Sequence, residues 1–282
     1  MKYVYYPGCS GTTTAAEYNQ SAIAVCKTLG IELAEMPDWN CCGATSAHST
    51  NYALSHALSG RNLAIAEKQG LDIAVICPSC YSRLKDTQNA VKHGKISSKA
   101  MEYLIEKPYE AKSDVRHLLD LVTNVVGLDT VKSLVKKPLK GLRVVCYYGC
   151  YLVRPPELTG FDNTENPTSM DRLMESLGAE AVDWRGKVEC CGGSLSLTDR
   201  EKVQRLSTDI AGAAIEVNAD VIVTACGLCQ SNLESRQKLK KPVPAIYFTE
   251  LMGLAFGLDP EPWFKKHLVD PHKVLKEHNL LG

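Results

Sequence analysis

The sequence predicts an α/β fold made of two pseudo-symmetric repeats, each a small unit built on a parallel sheet with cysteines at the carboxyl ends of its strands. Three observations carry this prediction: an internal repeat, short apolar segments alternating with helical ones, and cysteines set directly after those apolar segments.

The repeat comes first. Tyr5-Tyr6-Pro7-Gly8-Cys9 lies beside Tyr147-Tyr148-Gly149-Cys150, and a helical stretch follows each, ending in Leu29-Gly30 and in Leu177-Gly178. Next come Ile31–Glu35 and Ala179–Asp183, then Asn40-Cys41-Cys42-Gly43 and Glu189-Cys190-Cys191-Gly192. In both halves 34 residues separate the Cys-Cys pair from a Cys-x-x-Cys, Cys77–Cys80 in the first and Cys226–Cys229 in the second. Chance does not readily produce equal spacing over several elements.

Val4–Tyr6, Leu71–Ile76, Leu142–Tyr147 and Val221–Thr224 are short, apolar and rich in β-branched or aromatic residues, as buried strands are. Helices are predicted over Thr14–Leu29, Tyr52–Gln69 and Arg200–Asn218. In the first of these, Ala15, Tyr18, Ala22, Val25 and Leu29 recur on one side. Asp199 sits at an N-cap position, and Gly30, Gly70 and Gly178 sit where C′ glycines belong. Strands alternating with such helices make parallel sheets, whose ligands collect at the carboxyl ends of the strands. Segment 85–140 reads as a helical linker, which divides the chain into units 1–140 and 141–282, and Pro242–Gly257 reads as a last strand and helix.

Lys plus Arg and Asp plus Glu both total 32, so no net field attracts nucleic acid or an anionic membrane. The N-terminal residues lack the long apolar region of a secretory signal, and no apolar run reaches the roughly 18–20 residues that span a bilayer. A cytoplasmic location follows as the expectation, with thiols kept reduced. Twelve cysteines there point to metal or redox chemistry rather than to disulfides.

Ten of the twelve fit the repeat: Cys9, Cys41, Cys42, Cys77 and Cys80, then Cys150, Cys190, Cys191, Cys226 and Cys229. Cys26 and Cys146 have no counterpart and read as packing residues. Structural zinc takes four ligands and leaves one thiol over in each half. A dithiol at Cys77-Pro78-Ser79-Cys80 leaves three unexplained. Iron–sulfur clusters use thiolate ligands, although the dense cysteine run of ferredoxins is missing. Neighbouring side chains diverge, so a Cys-Cys pair suits a site where two thiolates reach different irons, or where one bridges.

The order Cys, 31 residues, Cys-Cys-Gly, 34 residues, Cys-x-x-Cys resembles the cysteine-rich CCG domain. Two such domains over nearly the whole chain resemble HdrB, the B-type subunit of heterodisulfide reductase. The first interval of the second half is 39 residues, lengthened by an insert around Pro155-Pro156 and Phe161–Pro167. The resemblance implies two non-cubane [4Fe-4S] clusters, the first on Cys9, Cys41, Cys42, Cys77 and Cys80, the second on Cys150, Cys190, Cys191, Cys226 and Cys229. It implies a catalytic subunit that reduces, or in reverse forms, a disulfide between small thiols, each sulfur meeting one cluster. Electrons would come from a ferredoxin-like iron–sulfur subunit (HdrC-like) working with a flavin subunit (HdrA-like). An electron-relay subunit of a lactate-, glycolate- or succinate-oxidising complex is the alternative within the same resemblance.

Other residues carry weaker signals. His48 is placed to donate a proton to a departing thiolate, though a hydrogen-bonded loop histidine is the plainer reading. Ser46, Ser194 and Ser196 follow the Cys-Cys pairs and are candidates to donate to sulfur or to cap a helix. Arg61 and Arg83 read as ion-paired or exposed. In the tail, His267, His272 and His278 read as surface residues, while Trp263 and Leu280-Leu281 read as a surface for a partner subunit.

Overall fold

A computed structural model describes residues 1–44 and 47–282 of the chain; Ser46 lies outside the described residues. Two four-stranded sheets form its frame. The first contains β1 (Lys2–Tyr6), β2 (Glu32–Glu35), β3 (Ile73–Val75) and β4 (Val115–His117) in the order β2-β1-β3-β4. The second contains β5 (Arg143–Tyr147), β6 (Glu180–Ala181), β7 (Val221–Thr224) and β8 (Ala245–Tyr247) in the order β6-β5-β7-β8. Every pairing is parallel, with Val4 opposite Ile73 in the first sheet and Val144 opposite Val221 in the second. The two halves therefore share one topology, as the repeat predicts.

Side chains alternate across a strand, and here both faces are buried, which is why these segments read as unbroken apolar runs. Tyr3, Tyr5, Ala74 and Ile76 of the first sheet face inward to one core shared with Val144, Cys146, Val221, Val223 and Ile246 of the second. Helices Ala16–Thr28 and Phe248–Ala255 fill that shared core through Tyr18, Ala22, Val25, Phe248 and Leu251. Val4, Tyr6, Ile73 and Val75 face the other way, under helices Tyr52–Gln69 and Pro78–Lys92. Val145, Tyr147 and Ile222 do the same under Arg200–Glu216 and Gly227–Arg236.

The predicted helix ends hold well. Asp199 accepts from the amide of Lys202, and Gly30, Gly70 and Gly178 all adopt positive φ just past their helices. The linker expectation for 85–140 needs correction, because β4 lies inside it and completes the first sheet. That strand, Val115-Arg116-His117, has one apolar residue in three and so carries no apolar run. The tail also differs from expectation. Trp263, Phe264, Leu275 and Leu280 are buried, the last three in the shared core, and Trp263 packs against Gly253. His267 has no exposed side-chain surface; His272 and His278 remain partly exposed.

Candidate functional site

In each sheet the chain steps from the first strand to a neighbour on one side, then returns to pair on the other. Loops leaving the first and third strands of such a sheet part from one another and open a crevice at their carboxyl ends. Cys9 lies just beyond β1 and Cys77 just beyond β3, so the two flank that crevice. Cys150 and Cys226 occupy the same places beyond β5 and β7. The loops after β2 and β6 bring in Cys41-Cys42 and Cys190-Cys191.

The structure brings each predicted set of five together. In the first half the sulfurs of Cys42 and Cys80 are 3.3 Å apart, and the amide of Gly43 donates to the Cys41 sulfur at 3.4 Å. The second half repeats this: Cys191 to Cys229 is 3.4 Å, and Gly192 donates to the Cys190 sulfur at 3.4 Å. Within each adjacent pair one cysteine is buried and the other exposed, Cys42 against Cys41 and Cys191 against Cys190, which is the divergence expected of neighbouring side chains.

Crowding shows in the acid strengths. Hydrogen bonds from the thiols of Cys41 and Cys80 hold Cys42 well below the ordinary thiol range, while Cys80 is driven up by its bonds to Cys42 and Cys77. Cys9 is raised by burial and then by the charges of Cys77 and Cys42. In the second half the hydrogen bond from Cys150 lowers Cys190, and Cys229 rises through its bonds to Cys191 and Cys226. Five thiolates this close repel one another, so full ionisation needs a cationic partner among them. No three Cys, His, Asp or Glu groups among the described residues are disposed to hold a single metal ion. The fit therefore rests on the donor set: five soft ligands per half, clustered and mutually destabilised as anions, suited to iron and sulfide.

Several supports were not read from the sequence. Tyr6 donates to the carbonyl of Asn40 at 2.8 Å, and Tyr147 donates to that of Glu189 at 2.7 Å, each holding the residue before a Cys-Cys pair. Both tyrosines sit at matching places in the repeat, and that is the signal that could have found them. Gly8 and Gly149 both have φ of +66°, and a Cβ there would meet the sulfur of Cys80 at 3.1 Å and of Cys229 at 3.3 Å. Glycine is needed for both reasons. Arg61 donates to the carbonyl of Asp38 and to Asn40, and Asn62 donates to the Asn40 carbonyl, stiffening the first Cys-Cys loop. Lys187, buried, pairs with Asp171 and Asp183 at 3.1 Å and steadies the corresponding loop of the second half.

The remaining candidates fall outside the thiol clusters. Cys26 and Cys146 are buried in the shared core, where burial makes both thiols weaker acids. His48 is exposed on a single helical turn beside Ser49. Arg83 pairs with Asp86 at 3.6 Å, and Ser194 is exposed. Of the two candidate serines among the described residues, Ser196 is the one that reaches the site, through Asn232.

Fold and site together define a twin-site, cysteine-rich α/β protein with one thiol cluster at each switch point. The CCG cysteine-rich domain matches residues 3–85 and 144–234. The chain is 31% identical, over 97% of its length and 99% of the relative's, to the 8-methylmenaquinol:fumarate reductase membrane anchor subunit of Wolinella succinogenes. It is 31% identical, over 93% and 92%, to a protein of Archaeoglobus profundus that is like the B subunit of heterodisulfide reductase. It is 29% identical, over 86% and 85%, to the B subunit of the ferredoxin/F420H2-dependent CoB-CoM heterodisulfide reductase of Methanosarcina acetivorans. A crystal structure of a hypothetical protein from Helicobacter pylori shares the fold, with a TM-score of 0.74 at 11% identity over 95% of this chain and 52% of that one. The chain belongs to the HdrB family of heterodisulfide reductase subunits, built on two CCG domains. Among the described residues no helix is long and apolar enough to cross a membrane.

Proposed function

We propose that the chain is the catalytic subunit of a heterodisulfide-reductase-type complex. Cys9, Cys41, Cys42, Cys77 and Cys80 would hold one non-cubane [4Fe-4S] cluster, and Cys150, Cys190, Cys191, Cys226 and Cys229 a second. The single observation that supports this most is the gathering of five thiols at the switch point of each half. Bound clusters supply one-electron steps, and two of them match the two electrons that reduce a disulfide to two thiols.

The chain's own residues serve that chemistry by placement. Cys9, Cys41 and Cys190 are exposed, which leaves one side of each site open to a small thiol or disulfide. The loop after β1 touches the second Cys-x-x-Cys: a Cβ on Gly227 would lie 2.6 Å from that of Ala15 and 3.8 Å from that of Ser10. This nearness favours one substrate spanning both halves. The named relatives are subunits of larger enzymes, and the proposed partners are a ferredoxin-like iron–sulfur subunit and a flavin subunit, in the cytoplasm.

One observation favours a second reading, an electron-relay subunit of a succinate- or fumarate-linked complex: the near full-length match to the Wolinella subunit. Electron paramagnetic resonance of the oxidised, cluster-loaded protein separates the two. A new signal that depends on added thiol supports the disulfide enzyme. Spectra indifferent to thiol support the relay.

A further inference from the structure

Of the equivalent positions at which the two thiol clusters differ, one puts an amide beside a sulfur. Three residues past the Cys-x-x-Cys, the first half has Arg83 and the second has Asn232. Arg83 turns to Asp86 at 3.6 Å. Asn232 is 3% exposed and turns into the site, where its amide nitrogen lies 3.2 Å from the carbonyl oxygen of Cys191 and 3.7 Å from the sulfur of the same residue.

The orientation of this amide is fixed by its partners. A carbonyl oxygen only accepts, so the group facing Cys191 must be the NH2. On the other side the Ser196 hydroxyl lies 3.0 Å from the Asn232 oxygen and 2.9 Å from the Gly193 carbonyl, and it shares its one proton between them. The Cys191 carbonyl thus selects one rotation of the side chain, and that rotation aims an N–H at the sulfur. Donation to a cluster ligand stabilises the added negative charge of the reduced state, so it raises the reduction potential.

We propose that Asn232, held in place by Ser196, is a positioning residue that makes the second-half cluster the more easily reduced of the two. Electrons shared between the two clusters would come to rest in the second. This inference rests on the cluster reading above and adds an order to the two sites. Asn232 acts through Cys191 and needs no contact with substrate.

The test is a redox titration of the anaerobically loaded protein followed by paramagnetic resonance, comparing wild type with Asn232→Leu and Ser196→Ala. The expected result is two transitions in wild type. Asn232→Leu shifts the higher one downward and leaves the lower one in place, and Ser196→Ala shifts it the same way by less. Should Asn232→Leu fail to fold or to load, Ser196→Ala decides alone. Unmoved transitions with iron and sulfide contents equal to wild type overturn this inference and leave the cluster reading standing. Wild-type protein that takes up no iron overturns both.

Discussion

Tyr18 of the first half stacks on Tyr247 of the second, with ring centroids 4.3 Å apart and planes 5° from parallel. Tyr18 also donates to the carbonyl of Ala225, the residue before Cys226, at 3.2 Å. A helix of one repeat thus holds the strand end that presents a cysteine of the other. Truncating a buried ring of this size costs about 3–5 kcal/mol through lost burial and the cavity left behind. Tyr18→Ala is expected to lower unfolding free energy by that order in denaturant titrations. It should also reduce iron retention in the second half, although Tyr18 belongs to the first.

Gly8 and Gly30 separate backbone strain from crowding of the sulfurs. Both have positive φ, +66° and +70°, but a Cβ on Gly8 meets the Cys80 sulfur whereas one on Gly30 meets nothing within 4 Å. Alanine in the left-handed region costs roughly 1–2 kcal/mol at either position. Gly30→Ala should therefore lower the melting temperature and keep its iron. Gly8→Ala should lower both, with about half of the iron lost, as read by iron analysis per chain.

A buried charge cluster sits behind the second site. His267 lies 2.7 Å from Glu234 and 3.1 Å from Glu250. Burial alone pushes the imidazole down, but the two carboxylates, Glu250 foremost, outweigh it and push it up to about 10. A raised value means stabilisation that is complete below about pH 6.5, falls as pH climbs, and is lost above about pH 10. His267→Gln leaves two buried carboxylates without their cation, which costs about 3–5 kcal/mol near neutrality. Denaturant titrations should show the gap between wild type and variant narrowing from pH 7 to pH 10.

Much of this was legible in the sequence. Equal spacing of the Cys-Cys and Cys-x-x-Cys motifs revealed the repeat, and apolar runs ending at Cys9, Cys77, Cys150 and Cys226 placed thiols at strand ends. What escaped has physical causes. β2 and β6 are edge strands with charged ends, Glu32 and Glu35 in one and Glu180 in the other, so they carry no buried-strand signature. β4 is three residues long with an arginine at its centre. His267 looks like any tail histidine until the fold closes Glu234 and Glu250 around it. Such long-range partners leave no local pattern.

Serine in place of one ligand tests whether the sites load independently. Cys42→Ser and Cys191→Ser should each lower bound iron to about half, because thiolates rather than hydroxyls hold iron–sulfur clusters. Cys26→Ala, in the shared core, should keep all of it and lose only packing energy.

If each set of five cysteines holds an iron–sulfur cluster, the anaerobically purified protein carries iron and acid-labile sulfide, which metal and sulfide analysis reads. About eight irons per chain with matching acid-labile sulfide is the expected result for two four-iron clusters. Two zincs per chain, with neither iron nor sulfide, would contradict it.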